Sequence, residues 1–575
     1  MEKWKENFLS LVKNKLYMLA LSFTAAGGYG FLVTHQTVGI DDTPYAYYFE
    51  EGLNAIVGRW FLFLLNKIFH ISDFTPFLTD LAGVLILMLG VTVWCALLRS
   101  ICGERVPLWG YVFFSCIFLS CPLLSEVYTY YLHNGVSVGY LCTGVSLCFF
   151  RELVLWAGGR QDGRTSRRKS ALAAGGTAFF LFLALGCYES FMIVWLLGIL
   201  LVLLTGLYMG EKNGIIRLLG LGAAAAAVSV LLRSLMIRGV TACFGLGYME
   251  GEAVQRSLGE LLGWIFQPGA SAEFAMAVKR FIVMYFAFYH AYYPVRIFVY
   301  AAGVMALLGL VMALRRRKPW LALLTLGCFP ACFLLVFVEG KATLYRSAQF
   351  LPVVCGYGAF LLAYGAEGLR RRGAALLIGS ERFSGIRKKA AGFCGRIAGG
   401  AMIFLLCSVL WNQIFDMNRW FYVDWLKYQA ALDTMNQIAF ILERDYDLSK
   451  PVVFTGSYQP PESIVSGAYV GYGTETFYRI NRITQLMDPH LLEKFYREYG
   501  VWVAQTPALS IFGWGIDAFG TDEELARFFA MHGHKIRANT DSELFEEATG
   551  LSADFPGFPA QGSIADMGEY IIVHF

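Results

Sequence analysis

Two adjacent carboxylates, Asp41 and Asp42, lie in Gly39-Ile40-Asp41-Asp42-Thr43-Pro44-Tyr45, directly after the first long apolar segment and where the chain should leave a bilayer. An acid placed there can act as a general base or hold a divalent metal, Mg or Mn, with Asp42 as the candidate ligand. The plainer reading is a polar turn whose solvated acids end a helix. Other ionisable groups occupy comparable places: Glu126 and His133 between two apolar runs, Tyr188-Glu189 in a tight apolar hairpin, and Glu339, Lys341 and Arg346 ahead of a later run. Arg59-Trp60 follows the acid pair. Carboxylates suit proton abstraction, and the guanidinium fork suits bidentate contact with a phosphate, with lysine as a point charge beside it. Each has a simpler account as well: Glu126 as a turn cap, His133 as a satisfied interfacial histidine, and Tyr45, Trp60 and Tyr188 as members of an aromatic belt.

What must position these residues is a set of membrane helices. The chain has 575 residues, 57% of them hydrophobic and 16% charged, with a mean hydropathy of +0.52, which makes lipid the solvent for most of its length. Eleven spans are expected, near 16–37, 77–98, 108–125, 128–150, 171–187, 190–209, 215–237, 295–314, 319–338, 348–366 and 397–415. Placing the N-terminus in the cytoplasm puts 26 Lys and Arg in the inner segments and about 8 in the outer loops of the membrane part, as the positive-inside rule requires. On that topology all the groups named above reach the outer face. The segment 59–70 is too short to cross and reads as a helix lying in the interface beside the acid pair; 280–293 reads as a second lateral segment. The basic runs 315–318 and 370–389 read as inner-leaflet anchors, with no nucleic-acid role.

Charge changes sign along the chain. Up to residue 415 there are 36 Lys and Arg against 21 Asp and Glu; from 416 to 575 there are 11 against 22. The expected division is therefore a multi-span domain at 1–415 and an extracytoplasmic α/β domain at 416–575, with helices near 420–445, 491–499 and 522–531 and strands at 451–456 and 570–574. All 13 cysteines precede residue 415, within or beside apolar runs and without metal-ligand spacing, so they read as small core hydrophobes.

The Asp-Asp-Thr-Pro-Tyr segment, followed by Gly52-Leu53-Asn54-Ala55-Ile56-Val57-Gly58-Arg59-Trp60 and many spans, resembles the bacterial type II glucosyltransferase (Gtr) family within the GT-C superfamily of membrane glycosyltransferases. The resemblance covers roughly residues 10 to 420. It implies a hexosyltransferase of the cell membrane that moves glucose from a polyprenyl-phosphate donor to a surface polysaccharide at the outer face. In that light Asp41 or Asp42 would be the base, with Glu189 and Glu126 as further catalytic candidates. Arg346, Lys341 and Arg59 would hold the lipid phosphate, and Tyr45, Trp60, His133 and Tyr188 would contact the sugar. The alternatives are a transporter or flippase of lipid-linked sugars, which calls for charges at mid-bilayer in paired positions, and a sensor whose outer domain binds a ligand.

Overall fold

A hydrocarbon medium offers the backbone no partner but itself, so the apolar runs fold as helices. The computed structural model describes residues 2–38, 52–70, 75–128, 133–157, 164–211, 214–246, 263–272, 274–275, 277–279, 296–339, 347–378, 386–456 and 522–575. The helices are α1 (Glu2–Val12), α2 (Lys15–Thr34), α3 (Leu53–Ile56), α4 (Trp60–Phe69), α5 (Pro76–Cys102), α6 (Leu108–Leu119), α7 (Leu123–Tyr128), α8 (His133–Ala157), α9 (Arg164–Cys187), α10 (Phe191–Tyr208), α11 (Ile215–Cys243), α12 (Arg296–Arg316), α13 (Pro319–Cys332), α14 (Leu334–Glu339), α15 (Phe350–Ile378) and α16 (Ile386–Asp445). Among the described residues nine helices are long and apolar enough to cross a membrane. The two remaining expected spans are broken ones. The run 108–128 divides into α6 and α7 at Ser120-Cys121-Pro122, and 319–339 divides into α13 and α14 just after Pro330. Proline lacks the amide that would continue the ladder, which accounts for the break at Pro122; Pro330 lies inside α13, which ends two residues later. The lateral segment 59–70 is a ten-residue helix, α4; 280–293 and 491–499 lie outside the described residues.

Buried polar groups pair across helices. Tyr29 Oη donates to Leu119 O at 2.8 Å, Tyr128 Oη to Gly83 O at 3.1 Å, and Tyr140 Oη to Gln349 O and Oε1 at 2.6 and 2.8 Å. Trp195 Nε1 donates to Ser146 Oγ, which donates to Thr177 O. Of the twelve cysteines whose side chains are described, ten are buried and all are free thiols, in keeping with their reading as core hydrophobes. At one end of the bundle arginines cover helix C-terminal carbonyls: Arg105 reaches Met209 O and Arg316 reaches Leu207 O, both at 3.0 Å. A cation there meets the negative end of α10. The Arg151–Glu211 pair joins α8 to the chain just past α10 at the same end.

At the opposite end α16 continues where hydropathy falls away. It is one helix of 60 residues, about 90 Å long at 1.5 Å per residue, and the sequence boundary at 415/416 falls inside it. Its last turns form one wall of the C-terminal fold. There β1 (Pro451–Thr455) lies between β2 (Arg537–Ala538) and β4 (Ile571–His574), parallel to both, and β3 (Ile564–Asp566) pairs antiparallel with β4. α16 and α17 (Asp522–Met531) cover one face through Met435, Ile438, Leu442, Phe528 and Phe529; α18 (Ser542–Leu551) covers the other through Ala548 and Leu544. The expected strands at 451–456 and 570–574 and the helix at 522–531 are present, whereas α18, β2 and β3 were not legible in the sequence. Val38, just beyond α2 and three residues before Asp41 in the chain, is buried in the α16 face of this core.

Asp522 opens α17 and accepts from Phe454 N–H at 3.4 Å. Burial pushes its carboxyl up from 3.8 to about 6, against the opposing pull of the Phe454 amide and the Asn539 side chain. A raised carboxyl pKa favours the native state only while the group is protonated, so stability is fully present below about pH 4 and is lost as pH climbs through about 6. The loss is on the order of 3 kcal/mol. Asp522→Asn is therefore expected to raise the thermal midpoint of the C-terminal part of the full-length protein at pH 7 and to leave it unchanged near pH 4. An equal gain at both pH values would contradict this origin.

Candidate active site

The Gly58-Arg59-Trp60 motif is a corner. Gly58 has φ +85°, the left-handed region where a side chain is strained, and it lets α3 turn into α4. Arg59 N–H donates back to Asn54 O at 2.8 Å and Arg59 O accepts from Phe63 N–H at 3.0 Å, which starts α4. Trp60 is buried and stacks on Phe182 of α9, ring centroids 4.6 Å apart at 27°. Gly186 is glycine for the same contact: a Cβ there would stand 2.6 Å from the Trp60 indole. Likewise a Cβ on Gly135, near the start of α8, would stand 2.8 Å from Leu62 of α4. Close backbone approach thus seats the short helix against α8 and the α9–α10 turn.

That turn carries Tyr188 and Glu189. The Arg59 guanidinium lies 4.4 Å from the Tyr188 ring centroid, a cation–π contact. Arg233 of α11 binds three groups at once: Leu185 O at 3.0 Å, Gly58 O at 3.3 Å and Glu189 Oε1 at 2.9 Å. Arg233 is largely buried, and Glu189 is more exposed, at 44% of its side-chain surface. The arrangement presents one guanidinium, that of Arg59, without a carboxylate partner among the described residues, beside an aromatic face and a rigid ion pair. It can receive an anion. Glu189, held by Arg233, is placed to fix the corner.

Of the residues singled out in the sequence, Arg59, Trp60, Tyr188 and Glu189 are brought together here. Glu126 is on α7, and His133 is the first residue of α8. Asp41, Asp42, Tyr45, Lys341 and Arg346 lie outside the described residues. Among the described residues no three His, Cys, Asp or Glu side chains gather to hold a metal, and Asp42, to which that role was given, is not among them. Tyr140 supplies a link to the Arg346 loop: it holds Gln349, three residues past Arg346 in the chain, and meets Phe191 edge-on at 5.0 Å, two residues past Glu189.

Two groups were not among the candidate site residues of the sequence. Arg233 is one, although an arginine within so apolar a helix is costly unless it is used. Asp424 and Lys427, one turn apart on the C-terminal half of α16, are 5% and 3% exposed; their spacing within an apolar helical face was the available signal.

The family model described as Glucosyl transferase GtrII matches residues 30–363, a stretch that contains every member of the cluster. No curated protein matches the sequence. The crystal structure of ArnT from Cupriavidus metallidurans bound to undecaprenyl phosphate is similar at 13% identity and a TM-score of 0.33, over 77% of this chain and 83% of that one; a likeness at that level says nothing of the site.

Glu189→Gln and Arg233→Met should each lower the thermal midpoint of the detergent-solubilised protein by a few degrees, and the double variant by less than their sum. The expected coupling is about 0.5–1.5 kcal/mol. Strict additivity would show that the pair does not tie the corner.

Proposed function

The chain belongs to the GtrII glucosyltransferase family, and from that premise we propose that it transfers glucose from a polyprenyl-phosphate donor to a cell-surface polysaccharide at the outer face of the membrane. The observation that carries the reading is the Arg59 guanidinium, laid on Tyr188 and backed by the Arg233–Glu189 pair at the end of the bundle that bears the C-terminal part. A lipid phosphate enters from the side, at the level where the helices end, and needs a cation there. Arg346 and Lys341, on the loop that leads to Gln349, are assigned to the same phosphate.

The acceptor hydroxyl is a weak nucleophile with a pKa far above 7, so its proton must leave as the bond forms. Asp41 or Asp42 accepts that proton. The acceptor oxygen bonds to the anomeric carbon, the bond from that carbon to the phosphate oxygen breaks, and its electron pair leaves with polyprenyl phosphate. One displacement inverts the anomeric centre. The arginines neutralise the charge that gathers on the leaving phosphate, where fixed donors act most strongly. The cation-rich loops gather at the other end of the bundle, and by the positive-inside rule that end faces the cytoplasm.

Asp41→Asn and Asp42→Asn should both insert and fold, and at least one should lose transfer by about 10²–10⁴-fold, the usual contribution of a general base. Full activity in both would remove the carboxylate mechanism. Arg346→Ala should raise the KM for the lipid donor about tenfold, equivalent to about 1.4 kcal/mol; unchanged kinetics would take it out of the phosphate site.

A further inference from the structure

α1 and the turn into α2 wall an open groove of about 520 Å³, lined by Glu6, Leu9, Ser10, Lys13 and Asn14. Helical spacing explains how one short helix can present it. Trp4, Phe8 and Leu11, at i, i+4 and i+7, face the bundle, where Leu11 is fully buried and the two rings pack against the core. Glu6, Ser10 and Lys13 repeat that spacing two residues on and so share another face. Lys13 still belongs to the helical ladder, its N–H bonded to Leu9 O at 3.0 Å. Asn14 ends the row as the cap of α2: its Oδ1 accepts from Tyr17 N–H at 3.0 Å, which leaves its NH₂ group to donate elsewhere. The bundle holds one face of α1 and thereby fixes the other.

Depth and lining select the ligand. α2 has 20 residues and spans about 30 Å, the thickness of the hydrocarbon layer. Its far end leads to Val38 in the C-terminal core, so Lys13 and Asn14 stand at the opposite boundary of the bilayer, level with the headgroups. Leu9 is 53% exposed in the groove, and Leu16, Leu19 and Phe23, at i, i+3 and i+7 on α2, are 60%, 70% and 61% exposed. A free anion has no use for such a strip, whereas acyl chains do. Glu6 and Lys13 line one groove, and neither is ion-paired among the described residues, so the lining suits a ligand that carries both signs. Lys13, Asn14 and Ser10 donate to a phosphate; Glu6 needs a cation with N–H to give. We propose that the groove binds the headgroup of a phosphatidylethanolamine, its phosphate on Lys13 and Asn14 and its primary ammonium on Glu6, with the acyl chains along Leu16 and Leu19. Phosphatidylglycerol brings no cation to Glu6, and the quaternary nitrogen of phosphatidylcholine has no hydrogen to donate. The site is separate from the donor assigned above, at the other end of the bundle.

The test follows the thermal midpoint of the full-length protein in detergent as one of four probes is added: dioctanoyl phosphatidylethanolamine, the matching phosphatidylglycerol or phosphatidylcholine, or water-soluble phosphoethanolamine. A ligand that binds the folded state raises the midpoint with its concentration. Phosphatidylethanolamine should do so at concentrations about tenfold or more below the other three. Glu6→Gln and Lys13→Gln should each bring it within about twofold of phosphatidylcholine. Ser10→Trp, which fills the groove and changes no charge, should do the same. All three side chains are exposed, so the variants should melt like the wild type without lipid; where one melts lower, the ratio among its ligands still decides. An equal response to the ethanolamine and choline lipids would show that the headgroup is not read. Phosphatidylglycerol as the tightest ligand would reduce the groove to a basic surface, and phosphoethanolamine binding as tightly as its lipid would remove the acyl chains from the site. Any of these three results, or discrimination that survives all three substitutions, would overturn the proposal.

Discussion

Arg233 is the residue on which the candidate-site end of the bundle depends. An arginine in a helix as apolar as α11 is costly unless each of its donors is used, and here one guanidinium reaches the end of α9, the Gly58 corner and the Glu189 carboxylate. Three segments far apart in the chain acquire one geometry from it. With the corner set, α4 starts at Trp60, Trp60 lies on Phe182, and Arg59 falls over the Tyr188 ring. A cation held by an aromatic face keeps its charge for a ligand, whereas the ion-paired Arg233 has spent most of its own. That division between a structural and a receptive arginine is what turns a helix corner into a candidate site.

The rest of the fold brings other segments to that end. Tyr140 spans α8, α10 and the start of α15, so the chain emerging from the Arg346 loop is anchored beside the turn that carries Glu189. Val38, three residues before Asp41 in the chain, is buried against α16. Because α16 runs unbroken from the bundle into the sheet, the C-terminal part has no hinge along that helix. Ring contacts between Phe31, His35 and Trp425 reinforce the junction where α2 ends. The acidic part of the chain and the candidate site therefore occupy the same end, opposite the arginines that cover the C-terminus of α10.

Sequence made residue types legible and left geometry hidden. The Gly-Arg-Trp motif could be read from its place in a short apolar segment after the acid pair, and Glu189 stood out as the one charge in a tight apolar hairpin. The three partners of Arg233 could not be found that way, since what one guanidinium reaches is a property of its surroundings. Spans 108–125 and 319–338 had the composition of crossings, and only the position of Pro122 and Pro330 hinted that they would break. The continuity of α16 escaped notice for a related reason: hydropathy falls near residue 415, but helical hydrogen bonding does not depend on hydropathy, and the apolar positions from Trp425 to Ile441 keep their helical spacing across the fall. β2 and β3 are two and three residues long, too short to leave a pattern.

The most direct measurement is made on the purified protein in sealed proteoliposomes whose lipid contains one polyprenyl-phosphate sugar at a time, with polysaccharide acceptor added to one side only. The account predicts release of polyprenyl phosphate from the glucose donor when the acceptor meets the face that bears the C-terminal part, and none when it is confined to the face of the arginine clusters. Release dependent on acceptor at the arginine face, or no release from any donor on either side, would contradict it.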